Sequence, residues 1–483
     1  MPPRGNSAPE ALRHADAMSE PVSESDPQSV DVVVIGLGPG GEALATAAAK
    51  SGLSVLAVDK HLVGGECPYY GCIPSKMMVR AADTLAEAGR ASTLAGDVTV
   101  TSSWAPVARR VSEEATAGWD DTIAVRRLED AGAEVVHGTA RLAGPGRVDV
   151  ELADGTTRSV SAGRGVVLNP GTRPAAPPVD GLDDTPYWTN REALRATELP
   201  GSLVVIGGGP IGCELAQVFA RFGVRVTILQ HGDRLAPASE PEASALLEEV
   251  LVGEGIRVMT SADTSAVSYA DGAFTLTVGD ETLVADQLLV AAGRTPNLDD
   301  LGLETVGLDP AARTIEVDER LRVEGVERLW AIGDVTGKGA FTHVSMYQSG
   351  IAQRDLLGDE GPPASYHALP HVTFTDPEVA GVGMTEQQAR DAGLSVRVGT
   401  TPLEQSSRGF VHGPGARGLV KVVEDADRGV LVGATVVGPA GGEILGLLAV
   451  AVHAAVPVET LQSMIYAYPT FHRAIETAIG DLS

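Results

Sequence analysis

Asp31-Val-Val-Val-Ile35, then Gly36-Leu-Gly38-Pro-Gly-Gly41, an alanine-rich run to Ser51, and Ser54-Val-Leu-Ala-Val58 ending on Asp59: the fold turns on this stretch. Three valines and an isoleucine in a row, without polar alternation, read as a buried parallel strand. The order is strand, G-x-G-x-x-G, helix, strand, acid. The glycines let backbone approach a pyrophosphate at the helix N-terminus, and the acid accepts from a ribose hydroxyl. A G-x-G-x-x-G alone is a weak signal. In this order it marks a dinucleotide site, with Gly36, Gly38, Gly41 and Asp59, and Lys60 beside it, as candidate contacts.

The pattern occurs twice. From Leu203 the chain reads strand, Gly207-Gly-Gly209-Pro-Ile-Gly212, helix, strand, and reaches Gln230 at the same offset that separates Asp59 from the first turn. Two such units imply two dinucleotides. A carboxylate at the end of the second would hold a free 2′-hydroxyl and repel a 2′-phosphate. Here it is Gln230, followed by His231 and Arg234, so the expectation tips toward NADP over NAD. His231 and Arg234 read almost equally well as solvated loop residues.

Between Asp59 and the second unit lies Gly64-Gly-Glu-Cys-Pro-Tyr-Tyr-Gly-Cys-Ile-Pro-Ser-Lys76, with two of only three cysteines. In a regular helix residues five apart have Cα atoms roughly 8.5 Å apart. A disulfide wants about 5.5 to 6 Å and fails beyond ~7 Å. For Cys67 and Cys72 to pair, the segment must be distorted, which Pro68 and Gly71 permit. An amphipathic helix then runs to about Ala86, with Cys72 at its N-terminus, where the dipole favours a thiolate. The spacing alone leaves open two buried cysteines that never pair. Cys213 reads as a small buried filler at a helix start.

The chain has 483 residues, 43% hydrophobic, with 57 glycines and a formal charge of −28. That length suggests about three domains. The acidic surface disfavours nucleic acid and anionic membranes as partners. Three cysteines make no disulfide framework, which fits a reducing, cytoplasmic setting. Residues 1–29, rich in Pro, Ser and acids, read as a disordered tail rather than a signal peptide. The apolar run Ile444–Val458 is too short to span a bilayer.

The cysteine stretch resembles the redox motif of class I pyridine-nucleotide disulfide oxidoreductases, the family of dihydrolipoamide dehydrogenase, glutathione reductase and mercuric reductase. The resemblance runs in one order from about residue 30 to 483. It implies an α/β fold of two Rossmann-like dinucleotide-binding domains plus a C-terminal α+β dimerisation domain. The FAD domain would comprise 30–170 and 291–365, the NAD(P) domain 171–290 and the interface domain 366–483, after crossings at Asn169–Pro174 and Ala291–Asn297 that include Gly293. It implies FAD on the first glycine turn and NAD(P)(H) on the second. Cys67 would exchange with a small dithiol or disulfide substrate, and Cys72 would face the flavin. Lys76 would pair with Glu214 beside the flavin ring, where a cation favours the negative charge of the reduced state. Gly333 and Asp334 would supply a second FAD contact. Pro370–Glu378 and Gly381–Glu386 would open the dimerisation domain of a homodimer.

The pattern departs from the family at two places. Tyr69-Tyr70 stands where asparagine and a small residue are usual. Near the C-terminus, Tyr468-Pro-Thr-Phe-His472-Arg473 puts tyrosine and arginine at the positions of a His/Glu dyad that serves the dithiol across the dimer. Tyrosine, with a pKa about 10, is a poor base at neutral pH, and a positioned base is typically worth ~10²–10⁴ in rate. His472, four residues on, is the residue that could replace it if both share a helical face. Mercuric reductases resemble the chain in that tyrosine, but their C-terminal cysteine pair has no counterpart in the final Gly-Asp-Leu-Ser. The expectation is a dithiol–disulfide oxidoreductase similar to dihydrolipoamide dehydrogenase. The alternatives are a quinone reductase, diaphorase or oxygen-using dithiol oxidase, and a non-catalytic flavin-binding redox sensor.

Overall fold

A computed structural model describes residues 28–483. The tail expectation therefore lies outside the described residues, except that Gln28 and Ser29 already belong to the first strand, Gln28–Ile35. That strand sits between Val55–Asp59 and Thr157–Leu168, all parallel. Val55–Asp59 pairs onward, in parallel, with the start of Ala133–Leu142. An antiparallel meander through Arg147–Leu152 then leads back to Thr157–Leu168. Leu329–Ala331 joins Thr157–Leu168 from much later in the chain and completes six strands. Val32, Val33 and Val34 are fully buried, so the unbroken apolar run reflects a strand covered on both faces.

The second unit repeats the first. Ser202–Ile206 lies between Gln287–Val290 and Arg225–Leu229, with Arg257–Met259 outside, all parallel. The two crossings pair with each other, Thr172–Pro174 antiparallel to Arg294–Pro296. From Pro370 a five-stranded antiparallel sheet takes over. Helix Gly441–His453 covers it with Ile444, Leu445, Leu448, Ala451 and Val452 and leaves Val450 exposed. No helix among the described residues is long and apolar enough to cross a membrane.

Both glycine turns are built alike. Gly36 and Gly207 have φ of +89° and +117°, where a side chain is strained. A Cβ on either would lie 2.2 or 2.3 Å from the carbonyl oxygen of Asn169 or Ala291. A Cβ on Gly41 or Gly212 would meet the carbonyl of Gly36 or Gly207 at 2.1 or 1.9 Å, so helix and turn touch only because both positions are bare. The acids' counterparts match too. Leu37 N–H donates to Asp59 Oδ2 at 2.7 Å, and at the equivalent place Gly208 N–H donates to Gln230 Oε1 at 2.8 Å.

The cysteine segment is two helices. Glu66–Tyr70 makes little more than a turn, Gly71 leaves helical geometry at φ −142°, ψ −114°, and the cysteine helix runs Cys72–Leu94. Cys72 is its first residue, and it ends eight residues later than its amphipathic pattern suggested.

Candidate active site

One cleft of about 1560 Å³ is lined by Gly38 and Pro39 of the first turn, Gly207–Pro210 of the second, Cys67, Cys72, Lys76, Glu214 and Asp334. Small-ligand pockets commonly measure about 300–1,000 Å³, so this one has room for more than a single compact ligand. Gln230, His231 and Gly293 also line it. Gly36, Gly41, Gly212 and Gly333 are not among the residues that line it. Lys60 is exposed and not part of its wall.

Cys67 and Cys72 are free, part-buried thiols on either side of the break at Gly71, and both line the cleft. Each shifts the other's acidity, in opposite directions. Its neighbour and its burial push Cys67 far above the ordinary thiol range. Cys67, a hydrogen bond shared with Thr342 Oγ1 at 3.3 Å and the charge of Lys76 together overcome the burial of Cys72 and bring it down to about 6. Its place as first residue of the cysteine helix works the same way. Of the two, Cys72 is the thiol that favours the thiolate.

Lys76 Nζ donates to Glu214 Oε2 at 2.8 Å. Glu214 is only 4% exposed, and its other oxygen accepts from the Phe374 backbone N–H at 2.9 Å. The Lys76 ammonium also lies 4.7 Å from the centre of the Phe374 ring. Asp334 Oδ2 accepts from Thr172 Oγ1 at 2.6 Å, and Arg294 Nε donates to that same hydroxyl. Asp59, largely desolvated, is pushed up by burial against the pull of two backbone N–H donors, Leu37 and His61. Gly38 and Gly209 leave the cleft side of each turn clear: a Cβ on Gly209 would meet nothing within 4 Å, and on Gly38 only the Asn169 amide at 3.2 Å. Bare turns, a carboxylate at the end of the first unit and a fixed cation beside the dithiol fit a flavin dinucleotide on the first turn and a pyridine nucleotide on the second.

Two expectations need correction. Arg234 does not line the cleft; its guanidinium donates to the Pro237 and Ser239 carbonyls of its own loop. Tyr468 and His472 do not share a helical face, because the last helix begins at His472 and Tyr468 precedes it in a turn where Thr470 Oγ1 donates to Ala467 O. Neither lines the cleft of its own subunit. Thr342, Phe374 and Arg294 were missed. Each reaches the site from far along the chain, and no local pattern marks them.

The chain matches the pyridine nucleotide-disulphide oxidoreductase family over residues 30–349 and that family's dimerisation domain over residues 369–479. It belongs to that family, and is a class I flavoprotein oxidoreductase acting on a sulfur group, with FAD and a pyridine nucleotide as the family's cofactors. The mercuric reductase of Streptomyces lividans is 35% identical over 460 residues, 93% of this chain and 95% of that protein. The dihydrolipoyl dehydrogenase of Thermus scotoductus is 34% identical over 472 residues, 94% and 98%. Among solved structures, the Cu(II) complex of the HOCl-induced flavoprotein disulfide reductase RclA from Escherichia coli superposes with a TM-score of 0.83 at 26% identity, covering 94% of this chain and 99% of that one. The dimerisation domain supports a homodimer.

Proposed function

We propose that the chain is an NAD(P)H-linked dithiol–disulfide oxidoreductase of the dihydrolipoyl dehydrogenase kind, with Cys67 as interchange thiol and Cys72 as the thiol facing the flavin. One observation carries the reading: both cysteines line the same cleft as both glycine turns, with the Lys76–Glu214 pair on its wall. Bound FAD and nicotinamide supply the two-electron chemistry between nucleotide and the cysteine pair. The remaining steps belong to the chain. Reduced Cys67 gives up its proton and attacks a substrate disulfide, forming a mixed disulfide and releasing one thiol. The Cys72 thiolate then attacks Cys67 sulfur, the second thiol leaves, and a Cys67–Cys72 disulfide remains. Two electrons leave the pair; one departing thiolate takes the proton given up by Cys67 and the other takes one from solvent.

Lys76, held by Glu214, sets a positive charge where the reduced flavin is negative. Asp334 and Asp59 would accept from ribityl and ribose hydroxyls. The absent carboxylate at Gln230, with His231 on the cleft, favours NADP, now without help from Arg234. Tyr468 and His472 would come from the second subunit.

A second reading has an observation in its favour. Tyr468 stands in place of a base, and electron transfer to a quinone or to oxygen needs none. Cys67→Ser separates the two. The first reading expects disulfide reduction to stop while NAD(P)H-driven quinone reduction persists. Loss of neither activity would move the function away from sulfur.

A further inference from the structure

The cysteine helix and the helix Pro210–Arg221 meet at two levels. At the first, Lys76 pairs with Glu214. Seven residues on along each helix, about two turns and ~10.5 Å, Asp83 pairs with Arg221 at 2.7 Å with the charges exchanged. Equal steps on both helices keep the two pairs on the same facing stripe. Arg221 is 6% exposed, and its fork is filled: Nη1 on Asp83, Nη2 on Asp376 at 2.8 Å and on Glu254 at 2.6 Å, Nε on Glu254 at 3.0 Å. Asp376 also accepts from Arg90, a second residue of the cysteine helix, and exchanges two backbone hydrogen bonds with the Gln217 side chain.

The dimerisation domain touches both levels with one short segment. Phe374 donates its N–H to Glu214 and lays its ring under Lys76; Asp376, two residues on, enters the Arg221 fork. One ion pair with a half-buried lysine fixes a point between two helices but leaves them free to slide and roll. A second level, made by a planar, rigid guanidinium, removes that freedom.

We propose that Arg221 is a positioning residue for the redox site: by clamping Asp83 and Asp376 it fixes the register of the cysteine helix, and so keeps Lys76 on Glu214 and Cys72 at its distance from the flavin. The inference rests on the reading of Lys76 and Cys72 as flavin-facing. It also makes the Phe374–Asp376 segment the route by which the dimerisation domain steadies the site.

A second buried cluster provides the control. Lys421, 2% exposed, binds Glu240, Glu242 and Glu386 and ties the second unit to the dimerisation domain, but none of its members lies on the cysteine helix. The test uses the FAD-loaded, full-length enzyme and its Arg221→Gln, Arg221→Lys, Asp83→Asn and Lys421→Met variants. After anaerobic two-electron reduction with dithionite, the thiolate-to-flavin absorbance is recorded against pH, and kcat and KM are measured. Arg221→Gln is expected to keep its flavin, shift the appearance of that band to higher pH and lower kcat about tenfold, the scale on which small misplacements act, with the nucleotide KM within about twofold. Arg221→Lys should recover part of the loss. Asp83→Asn, which removes one arm only, should show a smaller shift in the same direction and carries the test if Arg221→Gln does not fold. Lys421→Met should lower the unfolding temperature and leave the band in place. If the Arg221 and Asp83 variants behave like Lys421→Met, the proposal fails while the reading of Cys72 stands. A wild-type enzyme with no such band overturns both.

Discussion

Cys72 is acidic because its neighbour Cys67 favours its thiolate, Thr342 adds a partner and Lys76 adds charge. The sign of the pH dependence follows. A thiolate with a pKa lowered to about 6 is present above that pH and is lost as pH falls through it. The long-wavelength band of the two-electron-reduced enzyme should therefore fade on acidification with a midpoint near pH 6. Cys72→Ser should abolish it at every pH. Lys76→Met should move its midpoint upward, since the removed cation favours the thiolate. Both are read by anaerobic spectrophotometric titration, and a band indifferent to Lys76 would count against the electrostatic account. Cys213, by contrast, is buried in the second-unit helix, where desolvation first and Glu214 second push its thiol up to about 12, so it is chemically quiet as its position suggested. Those assignments were legible because each depends on near neighbours in sequence. Thr342 was not: it stands 270 positions from Cys72, and threonine at a helix start ordinarily needs no other reason to be there.

At the scale of elements, the two strand–turn–helix units were legible throughout, since glycine placement, apolar run and the terminal acceptor (Asp59 in the first, Gln230 in the second) are local features. The break at Gly71 was legible for the same reason. The far end of the cysteine helix was not, because its last turns are polar outside and are held by a tertiary contact, Arg90 to Asp376. The relation of Tyr468 to His472 was misread because a four-residue offset matters only inside one helix, and this helix starts at the second of them. A clean element-level test is Gly212→Ala. Its methyl would lie 1.9 Å from the Gly207 carbonyl oxygen, backbone that cannot give way without opening the second turn. The variant should keep its FAD and accept electrons from dithionite, yet lose at least about 1.4 kcal/mol of nucleotide binding, a tenfold rise in Kd, measured by titration calorimetry. Unchanged nucleotide affinity would show that this turn does not carry the nucleotide.

At the scale of the molecule, the C-terminal domain leaves apolar surface uncovered in the single chain. Ile465 is 96% exposed and Tyr468 70%, with Met464 and Val450 also open. Surface of this kind marks an interface, and the family's dimerisation domain says with what. Ile465→Asp should shift the protein to monomer in light scattering while the flavin stays bound. Disulfide turnover should fall with dimer content, since Tyr468 and His472 reach no cleft in their own subunit. A monomer with full disulfide turnover would remove those residues from the site. The central claim concerns the dithiol, the flavin and their distance, and one titration addresses it most directly. The anaerobic enzyme receives NADH or NADPH, one equivalent at a time, with the visible spectrum recorded after each addition. The account predicts a thiolate-to-flavin band that is complete after one two-electron equivalent, before the flavin itself bleaches, and reached at lower concentration with NADPH. Bleaching of the flavin from the first addition, with no such band, would contradict it.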